Sequence, residues 1–471
     1  MTPGDLPDLA ATEIRRLVAT RQISPVAVIE ACLDRVARLN PRLNAVVTLN
    51  LRALDEAHEL ERGLARGEPP GPLCGLPVGI KDVTPVAGLR TTYGSPLFAD
   101  HVPAEDALVV RRLRAAGAIV LGKTNTPEFA AGGNTWNEVF GPTRNPWDPT
   151  RSAGGSTGGG CAALATGMIA LGEGTDLGGS LRIPASFCGV VGLRPSVGLV
   201  PTHPAGWVWD TLQVSGPVAR TADDVALALQ VMAGADPHAP LGSTLGARDF
   251  VDAVRRGPPP GLRIAYCPDI AGIGVDADVE PVCRRAALAL TDIGAAVDPI
   301  ALDLAFARPA FLALRGQWFL AWMHQHLGQA DRFGVNVGNN VRSGLETQPL
   351  EIADAEAARG RLWHLFREFF ERWDFLLTPT MAVPPFPVEQ NYPATVAGRQ
   401  METYVDWIAP TFVLSLTGLP VASVPCGLDA AGLPVGMQIV GPPLGEEAVL
   451  ALAGAVQARH PIGLPRHGRA T

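Results

Sequence analysis

Along the chain, stretches with apolar residues at three- and four-residue spacing take turns with short unbroken apolar runs. That is the pattern of helices feeding buried strands. Residues 10–21 carry the first helical pattern. A second helix is expected at Ser24-Pro25, where serine caps and proline suits the first turn. Ile29, Cys32, Leu33 and Val36 then recur on one face. Residues 55–66 read as a third helix, ended by the loop Gly67-Glu68-Pro69-Pro70-Gly71. Residues 76–80 form a short apolar strand that delivers Lys81 at its end. A helix over 106–116, a glycine stop and a strand over 118–121 follow.

Further on, Thr221 caps a helix running to about residue 233, and residues 262–267 and 282–290 read as a strand and a helix. The stretch 306–400 is less patterned, with an aromatic segment (Phe311, Trp318, Phe319, Trp322) and a long helix over 354–372. Residues 420–425 and 436–441 read as core strands and 446–457 as a closing helix.

Composition narrows the class. With 47% hydrophobic residues among 471, the chain can bury a sizeable core. A net charge of −8 and the lack of a dense basic run argue against nucleic acid or an anionic membrane as partner. The seven cysteines form no CxxC pair and sit mostly in apolar segments, as small core residues of a reducing compartment do. Asp5, Asp8 and Glu13 interrupt the first apolar residues, so no signal peptide is expected, and no apolar run is long enough to span a bilayer. The expectation is a soluble cytoplasmic protein, monomer or homodimer.

The chemistry gathers in residues 152–195. Two serines there are flanked by glycine, Ser156 in Gly154-Gly155-Ser156-Thr157-Gly158 and Ser180 in Gly178-Gly179-Ser180. Glycine beside a nucleophile permits positive φ and lets a substrate approach the bare backbone. Between them, CAALATGMIAL reads as a buried helix running into a strand. Ser156 matches the GxSxG elbow of α/β-hydrolases, but that elbow needs a strand immediately before the serine. Asn145-Pro146-Trp147-Asp148-Pro149 cannot supply a central strand. The nine histidines lie outside the serine stretch, His324 and His326 make the one HxH pair, and neither a metal nor a cofactor is expected.

These residues resemble the amidase signature family, whose pattern runs GGSSGG, an apolar helix, then GTDxGGSIRxPAxxCGxxGLKP. The differences are Thr157 for the second serine, Leu181 for isoleucine and Arg194 for lysine. The family's upstream GxKD turn is matched by Gly79-Ile80-Lys81-Asp82. Lys81 lies 75 residues before Ser156, and Ser180 lies 24 after it. The resemblance implies one large α/β domain over 1–471 with a mixed central sheet flanked by helices. Within it fall N-terminal helices over 1–70, a catalytic core over 71–235, a variable helical pocket region over 300–400, and C-terminal core strands with a helix over 401–471.

By the same resemblance Ser180 is the nucleophile, Ser156 a relay on a cis peptide bond, and Lys81 the base. A lysine serves as base only when neutral, so its pKa of ~10.4 must fall by ~3. The oxyanion hole would be N–H groups of Leu177, Gly178, Gly179 and Ser180. Asp176 and Arg182 would brace the loop; as bare residues they could equally form a solvated pair.

The glutamine-hydrolysing branch of the family carries threonine and glutamine where Leu177 and Ile183 stand here. Both replacements remove groups that bond a carboxamide. Trp136, Trp207 and Trp209, with Thr157 and Ile183, are the candidate substrate contacts. The expected activity is hydrolysis of neutral, largely apolar aryl or alkyl amides. Carbamate (urethane) hydrolysis is the second reading and glutamine hydrolysis for an amidotransferase the third.

Overall fold

The alternating helices and apolar runs assemble into one mixed sheet of eleven strands flanked by helices, seen in a computed structural model that describes residues 3–242 and 248–465. Across the sheet the strands run Val46–Leu49, Ile119–Thr124, Pro77–Lys81, Leu171–Asp176, Val214–Ala219 and Val191–Arg194. They continue through Val421–Leu428, Pro434–Val440, Phe375–Pro379, Arg263–Tyr266 and Ala296–Pro299.

Three neighbours in the first half matter most. Pro77–Lys81 pairs in parallel with Ile119–Thr124 on one side and Leu171–Asp176 on the other. Every residue of the three is buried, which is why they read as apolar and small-residue runs rather than as alternation. Parallel strands end on the same side of a sheet, and open α/β sheets place their sites at that carboxyl edge. Lys81, Lys123 and Asp176 all fall there.

The local signals that marked helix starts have their physical cause on view. Ser24 Oγ accepts from the N–H of Val26 at 3.0 Å, and Thr221 Oγ1 from that of Asp224 at 3.1 Å. The helices are Pro25–Leu43 and Ala222–Met232. The stretch 306–400 departs from expectation. It holds the helices Arg308–Met323, Val335–Glu346 and Pro349–Arg372 and the strand Phe375–Pro379. The helix expected over 354–372 begins earlier, at Pro349, under a capping box of Gln348 and Glu351. The strands Val191–Arg194 and Val214–Ala219 also escaped the apolar pattern. Gly192, Gly216 and Pro217 interrupt them, and both are buried throughout, so no polar face alternates.

The apolar segment between the serines is the helix Gly158–Ala165 followed by the strand Leu171–Asp176. The helix opens on three glycines because the backbone approaches its neighbours closely. A Cβ on Gly159 would lie 2.3 Å from the Asn125 nitrogen and 2.6 Å from the Ala45 oxygen. On Gly160 it would meet only the Thr157 methyl, at 3.2 Å, as its nearest neighbour. Gly159→Ala is therefore expected to lower unfolding stability by about 2–3 kcal/mol through overpacking, whereas Gly160→Ala stays within about 1 kcal/mol of wild type. Urea unfolding midpoints of the two variants check this; equal midpoints would show that the helix can move away from its neighbours.

Candidate active site

Lys81 ends its strand completely buried. Its Nζ is hydrogen-bonded to Ser156 Oγ at 2.6 Å and to Thr175 Oγ1 at 2.9 Å. Burial pulls the ammonium down to about 7, against the opposing charges of Glu173 and Asp176. Glu173 accepts from the Lys81 N–H at 3.3 Å and from Thr84 Oγ1 at 3.0 Å, and burial raises its carboxyl. Desolvation thus drives both members of this pair toward their uncharged forms. Asp82 bonds the backbone and hydroxyl of Thr92 instead of Lys81.

The Gly155–Ser156 peptide bond is cis. Ser156 is fully buried just before Thr157, the cap of the helix Gly158–Ala165. The Thr157 N–H donates to the Ser180 carbonyl at 3.2 Å, which ties the two serine loops together. Ser180 is half-buried and lines a cavity with Gly178 and Ile183. Lys81 and Ser156 are thus joined by a hydrogen bond, while the Ser180 hydroxyl has no bonded partner among the described residues.

The loop after Asp176 is braced from inside. Asp176 receives Arg182 at 3.0 Å and Arg194 at 3.2 Å, and all three side chains are fully buried. Burial pushes the Asp176 carboxyl up, but the two guanidiniums outweigh it and hold it well below the usual range. The solvated-pair reading of Asp176 and Arg182 is therefore wrong: tertiary packing removes water from both. Asp176 also accepts the N–H groups of Gly179 at 2.9 Å and Leu181 at 3.1 Å. Of the four N–H groups expected to form the oxyanion hole, that of Gly179 is therefore bonded to Asp176. The N–H groups of Leu177, Gly178 and Ser180 have no such partner among the described residues. Gly179 is needed for shape instead: its φ is 123°, and a Cβ there would lie 2.2 Å from Thr411 Oγ1.

Two chambers share walls near Ser180, which lines the smaller, inner one. The inner one holds about 20 Å³ and the outer about 300 Å³, and Ala130, Thr175, Gln213 and Trp318 wall both. Phe129 and Ala130 enter the inner wall with φ of 45° and 59°, a backbone form seen at constrained functional sites. Of the expected substrate contacts, Ile183 lines the inner chamber, together with Leu177, and Trp207 lines the outer. Trp136 and Trp209 line neither and stand 51% and 61% exposed; the indole's nearness in sequence did not set its direction. Thr157 is buried behind the loop, away from both chambers.

Other residues of the site were not singled out from the sequence. Thr175 stands inside the GTD motif and could have been read from it. Lys123, buried and bonded to the Thr84 carbonyl and to Thr91 Oγ1, looked like an ordinary lone lysine. Gln213 and Arg315 come from segments without a motif. Among the described residues no cluster of three or more His, Cys, Asp or Glu side chains is placed to hold a metal, and no helix is long and apolar enough to cross a membrane.

With this geometry in place, the relatives are informative. Residues 27–450 match the Amidase family model. The chain is 37% identical to an acylamidase of Rhodococcus erythropolis, over 91% of this chain and 90% of that one. It is 34% identical to a glutamyl-tRNA(Gln) amidotransferase subunit from Carboxydothermus hydrogenoformans, over 89% and 90% of the two chains. Its fold superposes on a bacterial aryl acylamidase of the amidase signature family with a TM-score of 0.91 and 29% identity, covering 98% and 99% of the chains. The chain belongs to the amidase signature family. It is an α/β enzyme that hydrolyses amides.

Asp176→Asn would leave two fully buried guanidiniums without a counter-charge. A loss of about 3–5 kcal/mol in unfolding free energy is expected from breaking such a pair, together with collapse of amide hydrolysis as the loop loses its brace. Denaturant titration and an amidase assay on the same preparation measure both. Wild-type stability in that variant would mean that the loop is held elsewhere.

Proposed function

We propose that this enzyme cleaves the C–N bond of neutral, largely apolar aryl and alkyl amides through an acyl-enzyme on Ser180. The observation that carries the proposal is the 2.6 Å contact between Lys81 Nζ and Ser156 Oγ, two side chains that are both fully buried. An amide carbonyl is a poor electrophile and needs an activated nucleophile, a proton relay and a place for the oxyanion.

In the proposed cycle neutral Lys81 takes the Ser156 hydroxyl proton as Ser156 takes that of Ser180. The Ser180 hydroxyl turns toward Ser156 as it attacks. Its Oγ bonds the carbonyl carbon, and the oxyanion is met by the N–H groups of Leu177, Gly178 and Ser180. The proton held on Lys81 returns through Ser156 to the departing nitrogen as the C–N bond breaks. Water then repeats the sequence on the acyl-enzyme and releases the acid.

The substrate reading rests on the chamber walls. Leu177 and Ile183 put hydrocarbon beside Ser180, and Trp207, Trp318 and Trp322 wall the outer space. Such walls gain ~25 cal/mol per Å² of hydrocarbon buried.

Two outcomes are expected. A fluorophosphonate should label Ser180, and kcat/KM for amides should rise with pH, reach half its maximum near 7 and then level off. The sign follows from the base: Lys81 works only after losing its proton, so rate is lost as pH falls below that value. A label on Ser156, or a rate that falls as pH rises through 7, would overturn the assignment. In a second comparison, kcat/KM for a nitroanilide should exceed that for glutamine by ~100-fold or more. An aryl carbamate of matching shape belongs in the same series: as the best of the three it would move the enzyme to urethane hydrolysis, and glutamine as the best would remove the apolar reading.

A further inference from the structure

Arg315 is a buried cation in the wall of the inner chamber. It sits on the helix Arg308–Met323, is 5% exposed, and lines the inner chamber with Ser180, Gly178 and Ile183. No carboxylate pairs with it among the described residues. Its Nε donates to Asn340 Oδ1 at 2.9 Å and its Nη2 to the Tyr404 hydroxyl at 2.6 Å. The faces of Phe311, Phe319 and Tyr404 lie 5.7, 5.1 and 5.5 Å from its guanidinium carbon.

Three ring faces solvate a cation by their quadrupoles, so the charge does not require an anion. What remains unsatisfied is directional. Nη1 bonds no protein group among the described residues, and it is not among the side-chain atoms sealed from the cavity. Tyr404 adds to the same side of the balance. Its hydroxyl oxygen accepts from both Arg315 Nη2 and Asn340 Nδ2, which leaves the O–H proton as a donor without an acceptor among the described residues. Donors taken onto a hydroxyl strengthen its own donation. Two donors therefore line a space of about 20 Å³, room for about one water, with Gln213 and the Ser180 hydroxyl elsewhere in its wall.

We propose that Arg315 and Tyr404 form a recognition subsite beside Ser180 for a neutral oxygen acceptor, an ether, ester or carbonyl oxygen, on the short group of the substrate that enters the inner chamber. The subsite rests on the reading of Ser180 as the residue acylated. It makes Arg315 a substrate-positioning residue and narrows the substrates to amides whose small acyl part carries an oxygen within a few atoms of the scissile carbonyl. A purely aliphatic acyl group of the same shape leaves both donors unpaired when it displaces water, and that is the source of discrimination.

The test compares methoxyacetyl and butyryl 4-nitroanilides, which differ by one oxygen in place of a methylene. Dividing the enzymatic ratio of kcat/KM by the ratio for hydroxide removes intrinsic reactivity. Wild type should favour the ether by about ten-fold after that correction. Arg315→Met should bring the ratio to the hydroxide value, and Arg315→Lys should fall between. A residue that merely supports the fold would slow both anilides alike and leave the ratio where it was, which overturns the proposal. Binding in the Ser180→Ala background separates this from the hydrolase reading. A tighter Kd for the ether anilide, lost on adding Arg315→Met, upholds the subsite even if wild type turns over neither anilide; equal Kd values refute it. A malonyl anilide as the preferred ligand would make the subsite an anion site and refute the neutral class.

Discussion

An ammonium taken out of water favours its neutral form, and the shape of this enzyme follows from holding Lys81 in that condition. The lysine ends a strand buried on both faces and is covered by the serine loop and the helix behind it. Desolvation sets the direction of its shift, and the nearby carboxylates Glu173 and Asp176 oppose it. Both carboxylates are kept from cancelling the effect. Glu173 is itself driven toward its neutral form by burial, and Asp176 is claimed by two arginines. Replacing either arrangement with a free carboxylate would keep the lysine protonated at neutral pH.

A second buried lysine belongs to the same construction. Lys123 stands near the end of the neighbouring parallel strand, and burial lowers it to about 8 against the charges of Asp82, Glu173 and Asp106. Asp82, next in sequence to Lys81, belongs electrostatically with Lys123, and its carboxylate bonds Thr92. Asp82 stands just past the end of the strand Pro77–Lys81, so the acid beside Lys81 serves a different layer. The short sequence Lys81-Asp82 thus splits between the reacting site and the support behind it.

The loop that carries Ser180 is held from three directions, by Asp176 below, by Thr157 of the first serine loop, and by Thr411, whose hydroxyl donates to the Gly178 carbonyl at 2.7 Å. Thr411 belongs to the helix Ala409–Ser415, more than two hundred residues away along the chain. The same helix anchors Arg182 through the Thr411 carbonyl and Ser415 Oγ. The catalytic half of the sheet and the C-terminal segment are consequently one unit around this loop. The helix Arg308–Met323 adds Arg315, Trp318, Phe319 and Trp322 to chamber walls that the loop and the C-terminal segment also line. The relatives of this chain include both an acylamidase and part of an amidotransferase.

Glycine spacing, helix caps and short apolar runs made the reacting segment and its place on an α/β sheet legible in the sequence, because each is a local constraint on the backbone. Lys81, Ser156, Ser180, Asp176 and Arg182 could be singled out from order and spacing together with a family resemblance. The structure brings Lys81 to Ser156 and Asp176 to Arg182, and it seats Ser180 beside them. Sequence could not tell that the Gly179 N–H is occupied, that Trp136 and Trp209 point into solvent while Trp207 lines the cleft, or that Arg194 shares Asp176. It also could not separate Lys123, Glu173 and Arg315 from the many surface charges of the chain. Those facts depend on which side chains lose their water and which groups face them. Burial and direction are properties of the packed sheet and its covering helices, and residues far apart in the chain decide them together.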